Sequence, residues 1–313
     1  MNGKMNEHNI LIIDPIHESA LRELKNDYYV EYLPTASREE VLNKVSSASI
    51  LIVRSGHRVD EELINKASSL KLVARAGTGL DNVDTSLLDN KGISYFNLPS
   101  SNGDAVAELA IGFVFALSRN IPNTSARLKN NIWEKEKCYG TQIAGKVIGI
   151  IGYGNIGKKI AQRAKGLGMN VIASVSTVTR QKIHEACASG VELLDNNTIL
   201  SKADYVCLST PLNKETTNLI TIEELKMMKP SAFLINVSRG TVVNENDLAA
   251  ALANNIIKGA ATDVFHKEKE FSPLFELDNV ICTPHIGAMT IETQENIAKM
   301  LCDNIRNWAE KRS

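Results

Sequence analysis

Short apolar runs alternate with longer amphipathic stretches along the whole chain. The first series is Ile10–Ile13, Tyr28–Leu33, Ile50–Val53, Leu70–Ala74 and Ile93–Phe96, with helix-like segments between the runs. A run that is apolar at successive positions, rather than at alternate ones, reads as a strand covered on both faces. The pattern therefore predicts a buried parallel sheet flanked by helices. A second series follows at Val147–Ile151, Val171–Val175, Tyr205–Leu208, Phe233–Val237, Ala260–Val264 and Val280–Cys282. Between the two lies Asp104–Leu117, apolar on nearly every face, which predicts a helix buried between domains or between subunits and makes a homodimer the expected assembly. The last helical stretch, Ile291–Trp308, has no strand after it and is expected to pack back on the first domain. The resulting reading is two doubly wound parallel-sheet α/β domains, 1–100 with 288–313 and 101–287.

Length and composition agree with that division. A chain of 313 residues suggests two domains, and 43% apolar with 23% charged residues is ordinary globular composition. Lys and Arg number 35 against 36 Asp and Glu, so no global basic field exists to hold nucleic acid or an anionic membrane. No apolar run reaches the roughly 18 residues of a membrane span, and the first residues lack the features of a signal peptide, so a cytoplasmic location is expected. The five cysteines are scattered, without zinc-type spacing, and read as reduced thiols with no metal site.

Chemistry first enters at residues 145–157, GKVIGIIGYGNIG. This places GxGxxG directly after a strand and at the mouth of a helix expected over Asn155–Lys165, the dinucleotide-binding fingerprint of a Rossmann domain. Gly152 permits the tight turn, Gly154 lets backbone approach a pyrophosphate, and Gly157 lets the helix pack on the strand. The helix N-terminus supplies N–H groups to the phosphates. The following strand normally ends in an acid that holds the adenine ribose, but 173–180 reads ASVSTVTR, with Val175 where the acid belongs. NAD is the expected cofactor. NADP stays open, because small hydroxyl residues and Arg180 offer a place for a 2′-phosphate.

Three later segments put polar residues just beyond apolar strands: 236–240 (NVSRG), 263–268 (DVFHKE) and 283–287 (TPHIG). Together with the glycine fingerprint, in this order, they resemble the D-isomer-specific 2-hydroxyacid dehydrogenases over nearly the whole chain. The segments 53–56 (VRSG) and 75–84 (RAGTGLDNVD) resemble the branch of that family acting on D-3-phosphoglycerate, whose members open L-serine synthesis. The resemblance implies a flavodoxin-like substrate domain and hydride transfer between C2 of a hydroxy acid and the nicotinamide. It further implies His285 as acid/base, Glu268 as its partner and Arg239 as clamp on the substrate carboxylate. Arg54, Arg75 and, more loosely, Lys135 would meet the phosphate; Ser55, Gly56 and Gly77 would hold the carboxylate through backbone. Thr78, Ile156, Thr210, Pro211, Val237, Ser238, Asp263 and Gly287 would touch the cofactor.

Plainer readings stand beside these. Arg239 after a strand, or Glu268 in its charged run, would alone be solvated surface, His285 a structural histidine, and Asp263 a hydrogen bonder at the edge of the core. The chain also departs from the family pattern at Val175, at Lys269, where proline commonly follows the acid, and at Asn244, where aspartate is usual. Its end at Ser313 leads us to expect no C-terminal regulatory domain. A glyoxylate or hydroxypyruvate reductase is the neighbouring alternative, and an NAD-sensing scaffold without turnover the alternative of another class.

Overall fold

A computed structural model describes residues 7–312. The chain divides into two compact units, one of Met1–Asn102 with Met289–Ser313, the other Gly103–Ala288.

The first unit holds five parallel strands, β1 (Asn9–Ile12), β2 (Tyr29–Tyr32), β3 (Ile50–Val53), β4 (Leu72–Arg75) and β5 (Ser94–Phe96), in the order β2-β1-β3-β4-β5. Successive side chains of a strand face opposite sides, and both sides are apolar here. Ile10, Ile12, Ile50, Ile52 and Leu72 pack with Leu24 of the helix Glu18–Asp27 and with Ile297, Leu301 and Ile305 of the helix Ile291–Glu310. Leu11, Ile13, Leu51, Val53 and Val73 pack with Val41, Val45, Leu63, Ile64 and Leu88. Arg306 ties the two helices of the first layer, with Nη1 2.6 Å from Glu23 and Nη2 3.0 Å from Asp27. Strand order reverses between β1 and β3, so ligands of such a sheet are expected beyond the carboxyl ends of these two strands, at Asp14 and Arg54.

The second unit holds seven parallel strands, β6 (Val147–Ile151), β7 (Asn170–Ser174), β8 (Glu192–Leu193), β9 (Tyr205–Leu208), β10 (Phe233–Asn236), β11 (Gly259–Thr262) and β12 (Val280–Cys282). Their order is β12-β11-β10-β9-β6-β7-β8, with the reversal between β6 and β9. The edge strand β8 is too short, at two residues, to leave a hydrophobic pattern. Strand β11 stops at Thr262 rather than running to Val264 because the Thr262 hydroxyl donates to the Val264 carbonyl at 2.7 Å and turns the chain off the ladder.

One expectation needs correction. The apolar helix, Gly103–Ser118, is covered largely by its own unit: it packs on the helix Asn155–Gly166 and on β10 and β11, and Asp104 reaches Lys159 (2.5 Å) and Arg163 (2.9 Å). Phe115 on the helix itself stays exposed, and further exposed apolar side chains lie just after it, in a helix the pattern did not reveal, Ile121–Lys129, and in the segment beyond: Ile121, Leu128, Ile132, Trp133 and Tyr139. Among the described residues no single helix is long and apolar enough to cross a membrane.

Candidate active site

At the reversal in the second sheet, β6 runs into Gly152 at φ +102°, where an added Cβ would lie 2.8 Å from the backbone of Ser209 and Thr210. A Cβ on Gly157 would lie 2.3 Å from the Gly152 carbonyl oxygen, so helix and turn close on each other with no room for side chains. Gly154 is different: nothing stands within 4 Å of its missing Cβ, and as N-cap of the helix Asn155–Gly166 it supplies no side-chain cap. The bare first turn at Asn155, Ile156 and Gly157 beside an open glycine suits a pyrophosphate. Val175 follows β7, Thr210 and Pro211 follow β9, and Val237 and Ser238 follow β10, so these residues share one edge of the sheet. Val175 is half-buried, and no carboxylate occurs from 174 to 180.

The second unit brings the three chemical segments together. His285 Nδ1 lies 2.5 Å from Glu268 Oε1. The hydrogen bond from His285 is the main reason the Glu268 carboxyl sits below its ordinary value; the charges of His285, Arg239 and Lys269 act in the same direction, and partial burial opposes them. The Arg239 charge is thus felt at the pair. His285 adopts φ +55°, unusual for a residue with a Cβ, in a tight turn where its N–H bonds the Thr283 carbonyl at 3.0 Å. Lys269 stands at φ +69°, which explains the missing proline: a ring fixed near −65° cannot make this turn.

Asp263 is buried and already engaged. Its Oδ1 accepts from the Thr283 hydroxyl (2.6 Å) and the Ile286 N–H (2.8 Å), its Oδ2 from the Gly287 N–H (2.7 Å). Three of about four acceptor sites are used in holding the turn that carries His285, the plainer of its two roles.

In the first unit, Arg54 follows β3 and Arg75 ends β4, at the same edge of adjacent strands, with Val53 opposite Arg75. Burial pushes the Arg54 guanidinium below its ordinary value, and Nη1 donates to the Pro15 carbonyl at 3.2 Å. The Arg75 guanidinium lies against Gly77, where a Cβ would stand 1.7 Å from Nη1. Ser55 and Gly56 are exposed, and Thr78 donates from its hydroxyl to Asn102 Oδ1 at 2.9 Å. Lys135, in the second unit, sits on the exposed turn Lys135–Lys137; among the described residues no hydrogen bond or ion pair joins its amine to Arg239, Glu268 or His285.

Residues 111–287 match the family model described as D-isomer specific 2-hydroxyacid dehydrogenase, NAD binding domain. The chain belongs to that family. It is 39% identical over 299 residues to a D-3-phosphoglycerate dehydrogenase of Methanocaldococcus jannaschii, an alignment covering 95% of this chain and 56% of that one. It is also 36% identical over 312 residues to a glyoxylate reductase of Thermococcus litoralis, covering 96% and 93%. A D-lactate dehydrogenase of Aquifex aeolicus, solved with NAD and lactic acid, superposes at a TM-score of 0.88 with 26% identity, covering 97% of this chain and 96% of that one. The chain thus spans about half the length of the phosphoglycerate dehydrogenases it matches.

Several supports of this candidate site were given no role by motif reading. Asn236 Oδ1 accepts from the Ser238 N–H (3.1 Å) and hydroxyl (2.7 Å), while its Nδ2 donates to the Arg239 carbonyl (3.0 Å), so one buried amide fixes the backbone that presents Arg239. Glu245 holds the loop bearing Glu268 by accepting from the His266 N–H and, at 2.9 Å, from the Ser272 hydroxyl. Gly240 lets that loop press close, since a Cβ there would fall 1.9 Å from the Phe265 carbonyl carbon. The cysteines take no part: all five are free, and burial pushes the Cys207 and Cys302 thiols up to about 12.

Proposed function

We propose that the chain is a D-3-phosphoglycerate dehydrogenase, interconverting D-3-phosphoglycerate and 3-phosphohydroxypyruvate at the entry to L-serine synthesis. The observation that carries this choice is the pair Arg54 and Arg75 at neighbouring strand ends. A phosphorylated hydroxy acid brings two anionic groups, and guanidinium forks match phosphate oxygens better than any other side chain. The relatives named for this activity, 36–39% identical over most of the chain, support the same reading.

Gly152, Gly154, Asn155, Ile156 and Gly157 would hold the pyrophosphate of NAD(H), with Val175, Thr210, Pro211, Val237, Ser238, Asp263 and Gly287 bordering the rest. When bound, the nicotinamide supplies or accepts the hydride. Arg239 orients the substrate carboxylate and stabilises negative charge on the C2 oxygen. Glu268 occupies Nδ1 of His285, so Nε2 is the nitrogen that delivers a proton to that oxygen during reduction and removes it during oxidation. With no acid after β7 to repel a 2′-phosphate, NADPH is accepted beside NADH.

The glyoxylate reductase alternative rests on the relative matched over nearly its full length. Initial rates with 3-phosphohydroxypyruvate, hydroxypyruvate and glyoxylate, each with NADH and NADPH, separate the readings. The phosphorylated substrate should be preferred. Arg75→Met should lower its kcat/KM by roughly 10–100-fold, the worth of a charge-assisted hydrogen bond of about 1.5–3 kcal/mol, and leave glyoxylate almost untouched. Equal losses on both would remove the phosphate role, and no rate with any pair would favour the NAD-sensing scaffold.

We read the assembly as a cytoplasmic homodimer in which a second copy covers Ile121, Leu128, Ile132 and Trp133, the last 77% exposed in the single chain. Light scattering should give twice the 34.3 kDa chain mass, and Leu128→Glu combined with Trp133→Asp should return it to one. A parent protein at single-chain mass would exclude the dimer.

A further inference from the structure

The reversal point of the first sheet holds a cluster that the mechanism above does not use. The Asp14 side chain, only 3% exposed, accepts the Arg54 N–H on Oδ2 at 2.6 Å and bonds His57 Nδ1 through Oδ1 at 2.9 Å. A Cβ on Gly56 would fall 2.3 Å from the same Oδ1, so the turn is wrapped directly onto this carboxylate. On the other side Asn82 Nδ2 donates to the carbonyls of Arg54 (2.7 Å) and His57 (2.5 Å). The turn is therefore pinned at both ends, and among the described residues no hydrogen bond occupies the N–H groups of Ser55 and Gly56. Two adjacent bare N–H groups on a fixed turn form a receptor for an anionic oxygen.

His57 closes the cluster from beyond the turn. Its Nε2 lies 3.2 Å from the Ala36 carbonyl, and its side chain is only 15% exposed. A carboxylate and a carbonyl are both acceptors, so the ring makes both bonds only when each nitrogen carries a proton. We propose that His57, as an imidazolium bridging Asp14 and the Ala36 carbonyl, is a positioning residue that holds the Arg54–Gly56 turn in the shape that receives the substrate's acid group. This rests on the reading of that turn as a substrate contact. A protonated histidine at this place does two things at once: it balances the buried Asp14 charge, and its two N–H donors tie the turn to the segment that carries Ala36, the second of which a neutral amide shares.

The test uses the whole chain. Nitrogen-15 NMR of labelled histidine, with His57 assigned by its loss in His57→Gln, should show both ring nitrogens protonated at pH 7; a neutral ring overturns the proposal. In kinetics, His57→Leu should raise KM for 3-phosphohydroxypyruvate tenfold or more, with kcat within threefold and NADH affinity within twofold. His57→Gln, whose amide offers two donors, should recover at least half of the loss on a logarithmic scale. Arg54→Met separates the two readings. If it raises KM tenfold while His57→Leu leaves KM within twofold, the turn binds substrate and His57 does not position it; if neither changes KM, both readings fall.

Discussion

His285→Ala should lower kcat by about 10²–10⁴-fold, the usual contribution of a placed general acid or base, and leave the dissociation constant for NADH within a factor of two. The asymmetry follows from where the side chain is held. The cradle proposed for the cofactor is glycine backbone and a helix N-terminus around Gly152–Gly157, whereas His285 is anchored through Asp263 and Glu268. Stopped-flow reduction of the keto acid, with NADH binding measured separately by fluorescence, checks both halves; near-normal turnover would end the acid/base assignment. The sign of the pH effect follows from Glu268. Its carboxyl is held below the ordinary 4.5, so its negative charge is fully present above that value and is lost only as pH falls through the lowered one. Neutral solution therefore never lacks the Glu268 negative charge that faces His285 Nδ1. In His285→Ala the Glu268 carboxyl loses that hydrogen bond and should titrate closer to 4.5.

Most of the fold was legible because parallel strands buried on both faces write themselves as apolar runs. Ile50–Val53 and Tyr205–Leu208 are buried at every position and coincide with the runs that predicted them. What did not show was whatever lacked that signature: the two-residue edge strand β8, and the helix Ile121–Lys129, which buries no residue. The site divides in the same way. Residues inside motifs, such as Gly152 and Ser238, could be proposed as site residues from sequence, since backbone geometry there constrains residue type. Asp14, His57 and Asn82 could not: their role comes from bringing three separate segments to one strand end, and a lone histidine carries no spacing to betray that. Asp263 shows a further limit, because its place in a motif identified the position without telling a ligand contact from the anchor of a turn.

Arg239→Ala should be the most damaging single change in substrate handling, lowering kcat/KM by roughly 10³–10⁵-fold. Removing one donor to a developing oxyanion costs about 10²–10³ in kcat, and losing a charge-assisted bond to the carboxylate adds about 1.5–3 kcal/mol, another one to two powers of ten. Both losses fall on one residue because the side chain is presented from fixed backbone: Asn236 secures the turn on both sides of Ser238, and Nη1 of Arg239 is itself braced on the Ser238 carbonyl at 2.8 Å. Arg239→Lys distinguishes charge from shape. Lysine keeps the positive charge felt by Glu268 but not the planar fork, so it should restore much of KM and little of kcat. Steady-state kinetics of the two variants on the same keto acid decide the matter. An alanine variant within tenfold of the parent would sink the clamp, and a lysine variant with full kcat would reduce the role of Arg239 to its charge, leaving alignment of the C2 oxygen to His285.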